Sequence, residues 1–296
     1  MLNDRKFDES NDAKATMDHI YDRADPRAYF RELKSVGYTI PGAAKPILQK
    51  LISLLRRNAD DTVRVLDIGC SYGINAALLK HDLTIEDLYV RWGQMMPASA
   101  TAEEIIEQDK EFFAGLEQVE GIDVMGLDVA GNAIAFAERA GLLDRGLAMD
   151  LESQSLPEAA VEDLAPVDLV ISTGCVGYVT EKSFERLLPA LTEGRQPWFA
   201  NFVLRMFPFD AIEDTLSESG FVTERLDGQT FIQRAFASDE ERERILEQLI
   251  ERGVDPTGKE AEGNLVAEFF LSRPREDAAR IPLDRLLTAQ GQTRYS

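Results

Sequence analysis

Apolar positions in this chain follow two rhythms in alternation. Short, nearly continuous runs rich in Val, Ile and Leu are separated by segments in which apolar residues return every third or fourth position. The first run, Val63–Ile68, ends in the glycine-bearing loop 69–73 and passes into the helical Ile74–Lys80. The same order of strand, loop and helix is expected at 122–128 into 132–140, at 146–149, at 167–172 into 181–191, and at 198–204 into 211–219. Strands apolar on both faces and separated by helices predict a parallel sheet covered on both sides. After Gly220 come β-like runs at 221–226 and 230–236, a charged helix at 239–252 and a last strand at 265–271. These predict an antiparallel edge. The fold class expected is α/β, a doubly wound, mostly parallel seven-stranded sheet with an antiparallel edge.

The flanks break this alternation. Residues 1–60 read as an N-terminal helical cap, with 18–33 interrupted at Asp25-Pro26, a turn at 38–44 and an amphipathic helix at 45–57. Residues 61–273 form the α/β domain. Its insertion 81–121, carrying Trp92 and a helix near 102–116, is far longer than a crossover needs and is a candidate lid. Residues 274–296 read as a polar C-terminal tail.

Composition narrows the function classes. Asp and Glu total 53 against 32 Lys and Arg, a formal charge of −21, so polyphosphate partners and anionic membranes are disfavoured. The apolar stretch at 197–209 is too short to span a bilayer and contains Arg205. Cys70 and Cys175 have no neighbours at metal-ligand spacing, so neither a metal site nor a disulfide framework is expected. A cytoplasmic location is the expectation, and nothing in the pattern sets an oligomeric state.

In a doubly wound sheet, ligands sit beyond the carboxyl ends of the strands. The first strand ends in Asp67, Gly69, Cys70, Ser71, Tyr72 and Gly73. The glycines admit a close ligand, and Asp67 offers an acceptor to a cationic amine. The order acid-x-Gly-x-x-x-Gly differs from the G-x-G-x-x-G of nicotinamide sites.

The segment 65–73 resembles the first motif of the class I S-adenosylmethionine-dependent methyltransferases, a Rossmann-like superfamily, with Ser71 in place of the middle glycine of the commoner form. The resemblance spans about residues 61–236. It implies S-adenosylmethionine as cofactor, Asp128 as the acid that grips the ribose hydroxyls, and Asp150 as the acid that holds the adenine amino group. The Leu151 backbone is the implied second adenine contact. Val129, Ser172 and Thr173 complete the implied cofactor-binding set.

Substrate-side candidates follow the fourth and fifth strands. Tyr178 offers an aromatic face and a hydroxyl, or packs on the next helix; Asn201 and Arg205 would orient an acceptor, or Arg205 would bridge surface acids. His19, His81 and Cys175 fit structural roles better than chemical ones, although the helix of His19, with Tyr21 and Tyr29, is placed to fold over the cofactor. The expected reaction is methyl transfer to a small-molecule acceptor. The alternative is cyclisation of S-adenosylmethionine to azetidine-2-carboxylate with release of methylthioadenosine. A non-catalytic module would show a degraded motif, and Asp67, Gly69, Asp128 and Asp150 are intact.

Overall fold

A computed structural model describes residues 18–58 and 60–288. The described residues open with the single turn α1 (Asp18–Tyr21), then α2 (Arg27–Ser35) and α3 (Ile40–Leu55). The expected turn at 38–44 is mostly helix: α3 begins at Ile40 because Pro41 stands in its first turn, where the missing N–H costs nothing.

The strands are β1 (Val63–Ile68), β2 (Ile122–Asp128), β3 (Arg145–Ala148), β4 (Leu169–Thr173), β5 (Trp198–Leu204), β6 (Phe221–Arg225), β7 (Phe231–Ala235) and β8 (Asn264–Pro274). Their order is β3-β2-β1-β4-β5-β8-β6, with β7 also paired to β8. β1 to β5 are parallel, and β8 runs antiparallel to β5, β6 and β7. Seven strands follow one path, as expected, and β7 adds an eighth beside it, because β8 is long enough to pair with β6 at one end and β7 at the other. The chain has a Rossmann-like fold, and its sheet order reverses between β1 and β4.

Helices α4 (Ile74–Lys80), α7 (Gly131–Arg139), α8 (Glu158–Leu164), α9 (Glu181–Leu191) and α10 (Asp210–Glu218) follow the parallel strands, while α5 (Ile85–Val90) and α6 (Ala102–Ala114) form the insertion. β5 is buried along its whole length, and the rings of Phe202 and Phe269 meet at 4.8 Å across its pairing with β8. Among the described residues, no helix is long and apolar enough to cross a membrane.

The insertion supports the N-terminal cap from outside. A π-helical turn, Arg91–Met95, follows α5 and buries Trp92 against Phe30 of α2, with ring centroids 4.7 Å apart. Trp92 Nε1 donates to Asp109 Oδ2 at 2.7 Å, and Arg27 of α2 donates to the Pro97 carbonyl at 2.6 Å. His81 stacks on Phe113 at 5.5 Å.

Residues 274–288 carry two short helices and are anchored to the sheet. α12 (Arg275–Arg280) and α13 (Leu283–Thr288) follow α11 (Asp239–Glu251) and β8. Leu283 and Leu286 are buried, and Trp198 Nε1 donates to Asp277 Oδ2 at 2.9 Å. The rest of the expected tail, 289–296, lies outside the described residues, as do residues 1–17 of the expected cap.

Candidate functional site

A cavity of about 440 Å³ opens beyond the carboxyl ends of β1 to β4. That is the position the sheet reversal predicts and a size suited to a small organic ligand. Its wall takes Gly69 and Ser71 from the loop after β1, Asp128 and Val129 from β2, Asp150, Leu151 and Glu152 after β3, and Thr173, Gly174, Cys175 and Tyr178 after β4. Tyr21, Asp22, Tyr29, Leu33 and Tyr38 come from the N-terminal cap, and Gln233 and Arg234 from β7.

The glycine loop turns through positive φ at Gly69 (70°), Ser71 (49°) and Gly73 (74°). Ser71 is the only non-glycine with positive φ among the described residues, a conformation that L side chains occupy at a cost. Asp128 holds it there: its Oδ2 accepts from Ser71 N at 2.8 Å and its Oδ1 from Ala130 N at 3.0 Å. The ribose acid of the resemblance is thus also the brace of the glycine loop. Gly69 has a packing reason as well, since a Cβ there would meet Cys175 Cβ at 2.6 Å and Sγ at 3.1 Å. The Cys175 thiol donates to the Ile68 carbonyl at 3.2 Å.

Asp67 lies fully buried at the end of β1. Asn75 Nδ2 donates to Asp67 Oδ1 at 3.0 Å and to Thr173 Oγ1 at 3.1 Å, linking Asp67 to the cavity wall. Asp67 Oδ2 and Asn75 Oδ1 are buried with no hydrogen-bond partner, and neither residue itself lines the cavity, Asn75 meeting its wall at Thr173. Burial pushes the Asp67 carboxyl up to about 7 against the pull of the Asn75 amide, and the Asp128 charge adds to the rise.

Asp150 and Glu152 are tied into the wall. Asp150 Oδ1 accepts from Glu152 N at 2.9 Å and Oδ2 from Ser153 Oγ at 2.5 Å; Glu152 Oε1 accepts from Thr180 N at 2.9 Å. Leu151 is buried, and its carbonyl accepts from the Arg186 guanidinium. Four carboxylates, of Asp22, Asp128, Asp150 and Glu152, thus line the cavity, while its one basic lining side chain among the described residues, Arg234, is spent on Glu241 at 2.6 and 2.8 Å. The field inside favours a cation.

Several residues singled out from the sequence stand elsewhere. Cys70 is buried toward Gly126, and Gly73 caps α4 against Ala137 and Leu142. Tyr72 points under the cap: its hydroxyl accepts from Arg23 N at 2.9 Å and lies 3.2 Å from the Ile20 carbonyl. Ser172 and Asn201 are opposite each other on β4 and β5, and the Ser172 hydroxyl donates to Asn201 Oδ1 at 2.8 Å inside the sheet. Arg205 is buried in an ion pair with Glu260 at 2.5 Å and donates to the Asp255 carbonyl at 2.9 Å. None of these six lines the cavity, and neither does the 81–121 insertion. Val129 and Tyr178 are cavity residues at the rim, 68% and 40% exposed.

The polar and aromatic side chains of the wall that were missed from the sequence are Asp22, Tyr38, Glu152, Ser183, Gln233 and Arg234, and the apolar ones include Leu33, Met149 and Val179. Tyr38 sits at the predicted turn, and its aromatic character was the available signal. Gln233 carried none, because only the pairing of β7 with β8 and of its carbonyl with Thr39 N, 2.8 Å apart, brings it to the cavity.

No family model and no curated protein matches the chain. Solved structures resemble it weakly. The plantazolicin methyltransferase BpumL in complex with SAH is 13% identical over 93% of this chain and 100% of that chain, with a TM-score of 0.45. A TehB-like SAM-dependent methyltransferase from Corynebacterium glutamicum is 17% identical over 82% and 94%, with a TM-score of 0.41. The magnesium protoporphyrin IX methyltransferase of Synechocystis PCC 6803 with bound SAM is 11% identical over 77% and 79%, with a TM-score of 0.37.

Proposed function

We propose that this chain is an S-adenosylmethionine-using enzyme of the class I methyltransferase superfamily and transfers the methyl group to a small-molecule acceptor. The observation that carries the reading is the position of Asp128 and Asp150 after adjacent strands β2 and β3, on one cavity wall with the glycine loop. Asp128 would accept from the ribose hydroxyls through the lone pairs left beside Ser71 N and Ala130 N, and Asp150 from the adenine amino group. Asp67 and Asn75, each with an unsatisfied buried oxygen, would take the ammonium of the amino-acid end through the Thr173 side of the wall. A net cation fits a cavity bearing four carboxylates better than a dinucleotide with two phosphates does.

The bound compound supplies an electrophilic carbon. The protein's work is to align it, keep water out and orient the acceptor. Tyr178, at the open rim, is the acceptor-side contact; Asn201 links β5 to β4 and Arg205 ties the end of β5 to the segment 255–260, both buried among protein partners. The acidic cavity and the charge of −21 favour a neutral or cationic metabolite over a polyphosphate.

One observation favours the second reading, cyclisation. No histidine lines the cavity among the described residues, and an attack from within the bound compound needs no separate acceptor site, its α-ammonium first giving up a proton as a protonated acceptor would. In the intramolecular reaction the compound's own α-nitrogen forms the new bond to the γ-carbon. The carbon–sulfur bond breaks, sulfur leaves with its electron pair as methylthioadenosine, and the ammonium proton passes to solvent or to a carboxylate. Incubation of the full chain with S-adenosylmethionine alone, followed by identification of the nucleoside, separates the two. Methylthioadenosine supports cyclisation, and S-adenosylhomocysteine appearing only with an added amine, phenol or thiol supports methyl transfer.

A further inference from the structure

Three tyrosines outside the nucleotide-binding half stand over the glycine loop. The Tyr29 ring meets Tyr21 at 5.5 Å and 78°, Tyr38 at 6.2 Å and 84°, and Tyr72 of the loop itself at 5.6 Å and 64°. Rings set nearly perpendicular to a common neighbour build a corner, whereas stacked rings would cover one another's faces. Tyr21, Tyr29 and Tyr38 all line the cavity, and Tyr29 is only 2% exposed. Burial keeps the Tyr29 and Tyr38 phenols protonated, so this corner adds no charge of its own. The segment that carries Tyr21 is latched on both sides: Arg23 N donates to the Tyr72 hydroxyl at 2.9 Å, and Asn132 N to Asp22 Oδ1 at 2.7 Å.

We infer that Tyr21, Tyr29 and Tyr38 form an aromatic cage that holds the sulfonium centre of S-adenosylmethionine. The inference rests on the proposed function and adds to it which residues read the charge on sulfur. A sulfonium has no N–H or O–H to donate, so beyond the shape of its third substituent a protein tells it from a thioether through electrostatic attraction. A carboxylate pressed against it would itself be a nucleophile toward the activated carbon. An aromatic face attracts the cation and offers no such lone pair. The buried face of Tyr29, 2% exposed, also does this better than the rim-exposed Tyr178, whose attraction water weakens, while Tyr21, 37% exposed, closes the corner from the solvent side. The cage loses its hold when the sulfur becomes neutral, which favours product release.

The test is calorimetric titration of the full chain with two unreactive probes. Sinefungin carries an ammonium-bearing carbon in place of the methylated sulfur, and S-adenosylhomocysteine is neutral there. In Tyr21→Leu and Tyr38→Leu the preference for sinefungin over S-adenosylhomocysteine should fall about tenfold, equivalent to about 1.4 kcal/mol. Tyr21→Phe and Tyr38→Phe keep the face and should keep the preference, which separates the ring from the hydroxyl. Partly exposed Tyr21 serves as the variant that spares the core, and unfolding curves establish that each variant is folded. An unchanged preference in both Leu variants overturns the cage alone. Failure of the wild type to bind either probe overturns the proposed function and the cage with it.

Discussion

Ser71 N donates to Asp128 Oδ2 at 2.8 Å, and this bond joins the one strained non-glycine backbone among the described residues to the acid expected to hold the ribose. The two roles of Asp128 are therefore coupled. Asp128→Ala should weaken S-adenosylmethionine binding by about 1 to 3 kcal/mol, through the lost charged acceptor and through relaxation of the loop. Placing Ser71→Gly in the same chain removes the backbone strain, so the double variant should recover part of any stability lost. Calorimetry and urea unfolding of the single and double variants report the two effects separately.

Gly69→Val should destabilise the chain even without ligand. The sequence alone pointed to a collision with the bound compound, but the atom in the way is Cys175 Cβ, 2.6 Å from where a Cβ would stand. Gly69→Ala should therefore be partly rescued by Cys175→Gly, the φ of 70° leaving a residual cost. Thermal unfolding of the apo forms gives the answer, and equal losses in both backgrounds would place the obstruction elsewhere.

Asp67 makes a pH-dependent prediction with a definite sign. Its folded pKa is raised to about 7 from 3.8, so between those values the folded state binds the extra proton. Apo stability from this group is full below about pH 4 and is lost as pH rises through 7, a contribution on the order of a few kcal/mol. Asp67→Asn should thus be more stable than wild type at pH 8 and not at pH 4, by urea denaturation. Ligand affinity should move the other way: in wild type it should tighten as pH rises through 7, while in Asp67→Asn that change should be absent.

Tyr178 is tested by turnover. If its face contacts the acceptor, Tyr178→Phe keeps most of the rate and Tyr178→Ala loses about tenfold, about 1.4 kcal/mol in the barrier. If the hydroxyl moves or orients a proton, Phe falls with Ala. Wild-type rates in both would mark it as a packing residue.

The parts of the site that were legible in the sequence are the local ones. The loop after β1 and the acids after β2 and β3 announce themselves because strand, turn and acid are contiguous, and their spacing is set by strand ends. Arg205 was opaque for the opposite reason: the carboxylate that claims it, Glu260, arrives from 55 residues away. Asn201 falls inside the expected strand 198–204 and stands out as a polar residue there, yet β5 is buried throughout and its amide answers Ser172 on the neighbouring strand. All eight strand runs are legible as local patterns; the pairing is not, because nothing local shows that β8 is long enough to serve both β6 and β7. The insertion looked like a lid by length, and only the burial of Trp92 against Phe30 shows it acting on the cap rather than on the cavity.

The central claim is that Asp128, Asp150 and the glycine loop bind S-adenosylmethionine. Calorimetric titration of the full chain with S-adenosylhomocysteine, beside Asp128→Ala and Asp150→Ala, tests it most directly. The account predicts saturable binding at one site per chain, weakened about tenfold or more in each variant, about 1.4 kcal/mol. Binding that is absent in the wild type, or equally tight in all three proteins, would contradict it.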